Sequence, residues 1–296
     1  MGKILEKLKA SKVLSSDGAW GTLLHAKGLR PGECPESWNL EHPGEVLDIA
    51  AQYIEAGADM IETNSFGGSR LKLQHYGLDS LTTEINRRAA ELSRKAAGNN
   101  KIVLGSVGPT GKILMTGEVT ESELYEAFKE QSMALADGGA DAIIVETMSD
   151  LEEARIAVKA ARENTSCEVI CTMTFEKTVT GEYRTMMGVS PSEMVHAMKQ
   201  ASADIIGANC GNGIEGMIVI VQEIRAVDKN IPVLIHANAG LPQYHDGKTI
   251  FPESPEQMAG FVPALVEAGA NIIGGCCGTT PRHIRLISNA LKFVSG

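Results

Sequence analysis

No apolar stretch in these 296 residues approaches the roughly 20 residues that a membrane-spanning helix needs. Positive charge is in deficit: 27 lysines and arginines face 37 aspartates and glutamates, for a formal charge of −10. That balance argues against a nucleic-acid partner and against an anionic membrane surface. The first residues alternate Leu with Lys and Glu and lack the apolar core of a secretory signal. Glu6 breaks the myristoylation pattern. The expectation is a cytoplasmic chain whose six cysteines are reduced rather than paired. No glycine-rich phosphate fingerprint follows the first predicted strand, which counts against an open doubly wound sheet. No predicted strand carries an interior lysine of the kind a Schiff-base aldolase or lyase uses, and no Ser–His–Asp arrangement follows from spacing.

What is present is a regular alternation. Short apolar strands are expected at 13–17, 59–65, 102–108, 141–147, 168–174, 204–209, 233–238 and 271–275. Amphipathic helices are expected between them, the last over 281–293, with Asp150 as one N-cap and a short lead-in helix at Ile4–Leu8. Continuous apolar strands alternating with helices mean a parallel sheet. Eight such units without a composition break predict one α/β domain over 1–296, a (β/α)8 TIM barrel. A phrase recurs before the even strands: Gly57-Ala-Asp, Gly139-Ala-Asp, Ser202-Ala-Asp and Gly269-Ala-Asn. Alternate strands share interior layers in such barrels, so the recurrence is read as packing.

Active sites of these barrels form at the carboxyl ends of the strands. Asp17, Glu62 with Thr63 and Asn64, Glu146 with Thr147, Cys210, Asn238 and the Cys276–Cys277 pair all fall there. Three thiols at strand ends are a ligand set for one soft metal, zinc above all, and three protein ligands leave a fourth position open. Successive strand residues face opposite ways, so adjacent cysteines can share an ion only where the backbone bends; Gly274, Gly275 and Gly278 allow it. Buried small apolar cysteines are the plainer alternative, and a vicinal disulfide a strained one. Asp17 reads as a turn residue or a substrate ligand, Glu146 as a rim salt bridge or a functional carboxylate, and Asn238 as a turn cap. Cys34, Cys167 and Cys171 are expected to be structural, His236 a satisfied interior histidine and His283 a surface residue.

Asp17-Gly-Ala-Trp-Gly-Thr, Glu62-Thr-Asn-Ser-Phe-Gly, Gly108-Pro-Thr-Gly, Glu146-Thr-Met-Ser-Asp, Gly207-Ala-Asn-Cys-Gly, Asn238-Ala-Gly-Leu-Pro and Gly274-Gly-Cys-Cys-Gly-Thr-Thr-Pro occur in that order. Together they resemble the homocysteine S-methyltransferase family, which includes the homocysteine-binding domain of cobalamin-dependent methionine synthase and the betaine–homocysteine methyltransferases. The resemblance implies zinc on Cys210, Cys276 and Cys277, which would also be the catalytic residues. It implies a substrate-binding set of Asp17, Gly18, Glu62, Thr63, Glu146 and Asn238, with Asp17 and Glu146 on the amino acid part. Asn238 matches a residue that fills the fourth metal position before substrate arrives. Two departures lie near the expected pocket: His236-Ala237 where the family often has Pro before this Asn, and Trp20 where it often has Met. The implied activity is methyl transfer to homocysteine. With the last helix ending near Gly296, the expected donor is a small methylated compound, such as a betaine or S-methylmethionine, or methylcobalamin on a separate corrinoid protein. A non-catalytic zinc- or thiol-binding barrel and a barrel lyase or aldolase remain the alternatives.

Overall fold

The computed structural model describes residues 2–245 and 248–295; residues 1, 246, 247 and 296 of the expected 1–296 domain lie outside the described residues. Eight parallel strands form one sheet: β1 Leu14–Ser15, β2 Met60–Glu62, β3 Ile102–Val107, β4 Ala142–Met148, β5 Glu168–Met173, β6 Ile205–Gly213, β7 Val233–Asn238 and β8 Ile272–Gly275. Their order is β1-β8-β7-β6-β5-β4-β3-β2, every ladder parallel. The seam between β1 and β2 is bridged by Asp59 N–H donating to Ser15 O at 2.9 Å and Ser15 N–H donating to Asp59 Oδ2 at 3.1 Å. The sheet is thus a nearly closed (β/α)8 barrel, with helices outside it. Among the described residues no helix is long and apolar enough to cross a membrane.

The recurring Gly-Ala-Asp phrase has a different purpose from interior packing. Each of its acidic or amide residues stitches its own strand to the one before it. The backbone N–H of Asp59, Asp141, Asp204 and Asn271 donates to Ser15, Val103, Val169 and Val233. The side chains in turn accept the backbone N–H of Ser15, Val103, Val169 and Val233. Arg94, Arg162 and Arg225, on the helices that precede β3, β5 and β7, lock three of these side chains. The residue two before each stitch, at Gly57, Gly139, Ser202 and Gly269, takes a positive φ, which ends the helix and favours glycine.

Inside the barrel, Leu14, Met60, Ile102, Leu104, Ile144, Ile170, Ile205, Leu234 and Ile272 form a dry lower layer. Ile4, fully buried, closes it from below. The lead-in helix Lys3–Ser11 has no side-chain cap of its own. Glu168, at the start of β5, supplies one in its place, accepting from Ile4 N–H at 2.8 Å and Leu5 N–H at 2.9 Å. Glu168→Ala strands two donors and loosens this plug. It is expected to cost about 1–2 kcal/mol, seen as a lower denaturant midpoint; an unchanged midpoint would show that the helix does not seal the barrel.

Candidate active site

Above the apolar layer the barrel opens into a cavity of about 270 Å³ at the carboxyl ends of the strands. Cys210, Cys276 and Cys277 form part of its wall, and Glu62 and Glu146 another part. The three sulfurs lie within 4.8 Å of one another, Cys210 and Cys277 at 4.0 Å. Sulfurs on a tetrahedral zinc stand about 3.8 Å apart for a Zn–S bond of about 2.3 Å, so the trio has the spacing of a metal site.

The bend that adjacent cysteines require is present. β8 stops at Gly275, and Cys276–Cys277 occupy a turn closed by Thr279 N–H to Cys276 O at 3.1 Å, with Gly278 at φ 81°. Gly274 is needed for a second reason: a Cβ there would lie 2.7 Å from Asp17 O and 2.8 Å from the His236 ring. Cys276 N–H is held by Ala237 O and Cys277 O by Ala239 N–H, so the turn is pinned to the end of β7. Hydrogen bonds from Cys276 and Cys277 lower the Cys210 thiol, while the same bonds raise Cys276 and Cys277. Within the trio, Cys210 is therefore the thiol whose ionised form the other two support. The Asn238 amide also bonds to the Cys210 sulfur, and its Oδ1 is buried without a partner. Asn238 thus brings a buried acceptor without a partner next to Cys210.

The opposite part of the site is acidic. Glu146 accepts from Ser106 Oγ and, at 3.3 Å, from Asn209 Nδ2. Burial pushes it well above the usual carboxylate range, and the charge of Glu62 adds to this. Burial likewise raises Glu62 to about 8. His236 Nδ1 stands 3.3 Å from Glu62 Oε1, yet His236 Nε2 and Glu62 Oε1 both lack a hydrogen bond. His236 is thus an interior histidine, as expected, but one left unsatisfied. Asp17 is fully buried and raised to about 7, by desolvation first and by Glu62 second. It accepts from Trp20 Nε1 and from Glu62 N–H, both at 2.9 Å.

Gly18, Glu62, Thr63 and Glu146 line the cavity, together with the three cysteines. Asp17 and Asn238 are not part of that lining: Asp17 is bonded to the Trp20 indole N–H and Asn238 stands against Cys210. His283 is not the surface residue expected: it is buried, with Nδ1 facing Thr280 and Nε2 facing Glu253 O at 3.2 Å, and it ties the last helix to the loop after β7. Cys34, Cys167 and Cys171 are buried free thiols away from the trio. Ser106, Phe66 and Asn209 were not anticipated. Ser106 had a signal, as a polar residue near the end of an otherwise apolar strand.

The family model described as Homocysteine S-methyltransferase matches residues 14–291. Methionine synthase of Mycobacterium leprae (strain TN) is 32% identical over 308 residues, covering 97% of this chain and 25% of that protein. Methionine synthase of Mycobacterium tuberculosis (strain ATCC 25618 / H37Rv) is 31% identical over 305 residues, covering 96% and 25%. The chain therefore spans about a quarter of the length of these relatives. The metallated form of the homocysteine methyltransferase MmuM from Escherichia coli superposes with a TM-score of 0.80 at 22% identity, covering 96% of this chain and 98% of that one, which shows a shared fold. With the thiol trio at the carboxyl ends of its strands and a match across nearly its whole length, the chain belongs to the homocysteine S-methyltransferase family.

Proposed function

We propose that this chain transfers a methyl group to the thiol of L-homocysteine, giving methionine, with zinc held by Cys210, Cys276 and Cys277. One observation carries the reading: a single cavity has three thiols in one part of its wall and two buried carboxyls in another. Homocysteine has a thiol at one end and an ammonium at the other, and matches both. Zinc, when bound, favours the ionised form of a thiol, which is the nucleophilic form.

The remaining work falls to the chain. Glu146 and Glu62 accept the substrate ammonium, and Asp17 behind them adds negative charge. Ser106 and Asn209 hold Glu146, and Trp20 and Phe66 add apolar surface to the cavity lining. The substrate sulfur takes the methyl carbon and the donor leaves with the bonding electron pair, so the chain's main contribution is alignment of the two. No general base is required beyond release of the thiol proton.

The donor we favour is methylcobalamin on a separate corrinoid protein. Ile113, Met115, Val179, Met186, Leu241 and Tyr244 are exposed on the segments that follow β3, β5 and β7, on the face of the barrel where the cavity opens. A docking carrier would have a use for exposed apolar side chains on that face, which a free betaine or S-methylmethionine would not. The six free thiols favour a reducing, cytoplasmic setting. The test incubates the zinc-loaded chain with homocysteine and, separately, free methylcobalamin, S-methylmethionine and betaine. Methionine is expected, fastest from methylcobalamin. Binding of homocysteine without methionine from any donor would leave a thiol-binding protein as the reading.

A further inference from the structure

Two non-glycine residues at the upper rim hold left-handed backbone: Thr147 and Cys210, each at φ 59°. A β-branched threonine rarely adopts that conformation, so something outside the residue enforces it. At the same points the ladders lose their register, β4 against β5 after Val145 and β6 against β7 after Asn209. Each bend redirects a neighbouring side chain: Glu146 lies beside one and Cys210 forms the other, and both reach the cavity.

A single side chain joins the two bends. Asn209 is fully buried. Its Oδ1 accepts from Thr147 N–H and from Thr172 Oγ1, both at 2.8 Å. Its Nδ2 donates to Thr147 Oγ1 at 2.7 Å and to Glu146 Oε2 at 3.3 Å. Its own carbonyl accepts Thr174 Oγ1 at 2.9 Å, immediately before Cys210. The task needs a donor and an acceptor in one planar group. Aspartate lacks the donor and leucine lacks both.

We propose that Asn209 is a positioning residue that sets the spacing between the ammonium-binding Glu146 and the thiol-bearing Cys210, and so fixes the length of amino acid the site accepts. This rests on the homocysteine reading of the cavity. Asn209 itself need not touch the substrate; it acts through the Thr147 bend on one strand and the Cys210 bend on the next.

The test is a cycle of Asn209→Ala, Thr147→Gly and the pair, each zinc-loaded, with homocysteine binding followed by calorimetry and Thr147 amide exchange followed in the ligand-free chains. Asn209→Ala is expected to weaken homocysteine about 10- to 100-fold. Glycine holds a positive φ without help. In the Thr147→Gly background the same change should therefore cost several-fold less, a coupling that a purely packing role would not produce. Parent-like affinity in Asn209→Ala, or strictly additive losses, overturns the proposal. Rescue of an unfolded Asn209→Ala by Thr147→Gly supports it, and failure of both to fold overturns it in favour of a general role in stability. If the parent itself does not bind homocysteine, the substrate reading falls separately. Thr147 amide protection then decides the positioning role of Asn209 without the substrate-length claim: lost in Asn209→Ala, the role in holding the Thr147 bend stands, and retained it fails.

Discussion

Replacing Cys276 and Cys277 together by alanine is expected to abolish zinc retention and to lower methionine formation by about 10³-fold or more. The size follows from two effects. A free thiol of ordinary pKa near 8.5 is only a few per cent thiolate at neutral pH, so losing a group that ionises it costs about 30-fold. Losing the fixed position of the sulfur costs about another 10²-fold. Cys210 alone cannot retain the ion, because one monodentate ligand leaves three of four positions to water. The fold should survive. Both cysteines sit in a turn above the barrel, outside its ladders, and their removal leaves the stitched lower face and its apolar layer intact. The measurements are metal content per chain, turnover and the circular dichroism melt. Full metal content in the double variant would reject the ligand assignment. Loss of the melt would instead mark the ion as structural, since metal affinity then becomes folding energy.

The barrel was legible because its two periodicities were clean. Eight apolar strands and the helices between them could be placed within a few residues, and β1 and β2 came out much shorter than expected, at two and three residues. The thiol trio was legible for a chemical reason: three cysteines at strand ends have few alternative uses. What could not be read were relations across strands. The Gly-Ala-Asp phrase was visible, but its function is a hydrogen bond to a strand about 35 to 44 residues away. Asp17 stood out as a strand-end acid, yet the sequence does not say that the Trp20 indole N–H takes its carboxylate and that it is fully buried outside the cavity lining. Asn209 is one polar residue in an apolar strand, and its five hydrogen bonds join segments that only the closed barrel brings together. His283 sits on an amphipathic helix, and its burial depends on the loop after β7 that covers it.

Binding of the amino acid end should strengthen steeply as pH rises from about 6 to about 8. In the empty cavity Asp17 is raised to about 7 and Glu62 to about 8, and burial also holds Glu146 high. The neighbours that share this space are His236, whose pKa burial lowers, and Tyr53, which is pushed up. At pH 6 the acids are largely neutral, and a neutral carboxyl holds an ammonium poorly. A ligand ammonium must therefore expel a proton, and each proton released makes affinity rise about tenfold per pH unit. Methionine isolates the effect, since it keeps the ammonium and has no thiol to titrate. Its affinity is expected to gain about tenfold between pH 6 and 7 and to level off above 8. Glu62→Gln should flatten that rise. The unliganded chain should show the opposite trend. Carboxyls raised in the folded state carry more protons there than when unfolded, where they titrate near 4. Their contribution to stability is therefore largest at low pH and is lost progressively between about 4 and 8. Methionine should thus raise the melting temperature more at pH 8 than at pH 6. A methionine affinity that stays flat from pH 6 to 8 would mean that the acids are already ionised in the empty cavity, and the ammonium assignment of Glu62 and Glu146 would lose its electrostatic basis.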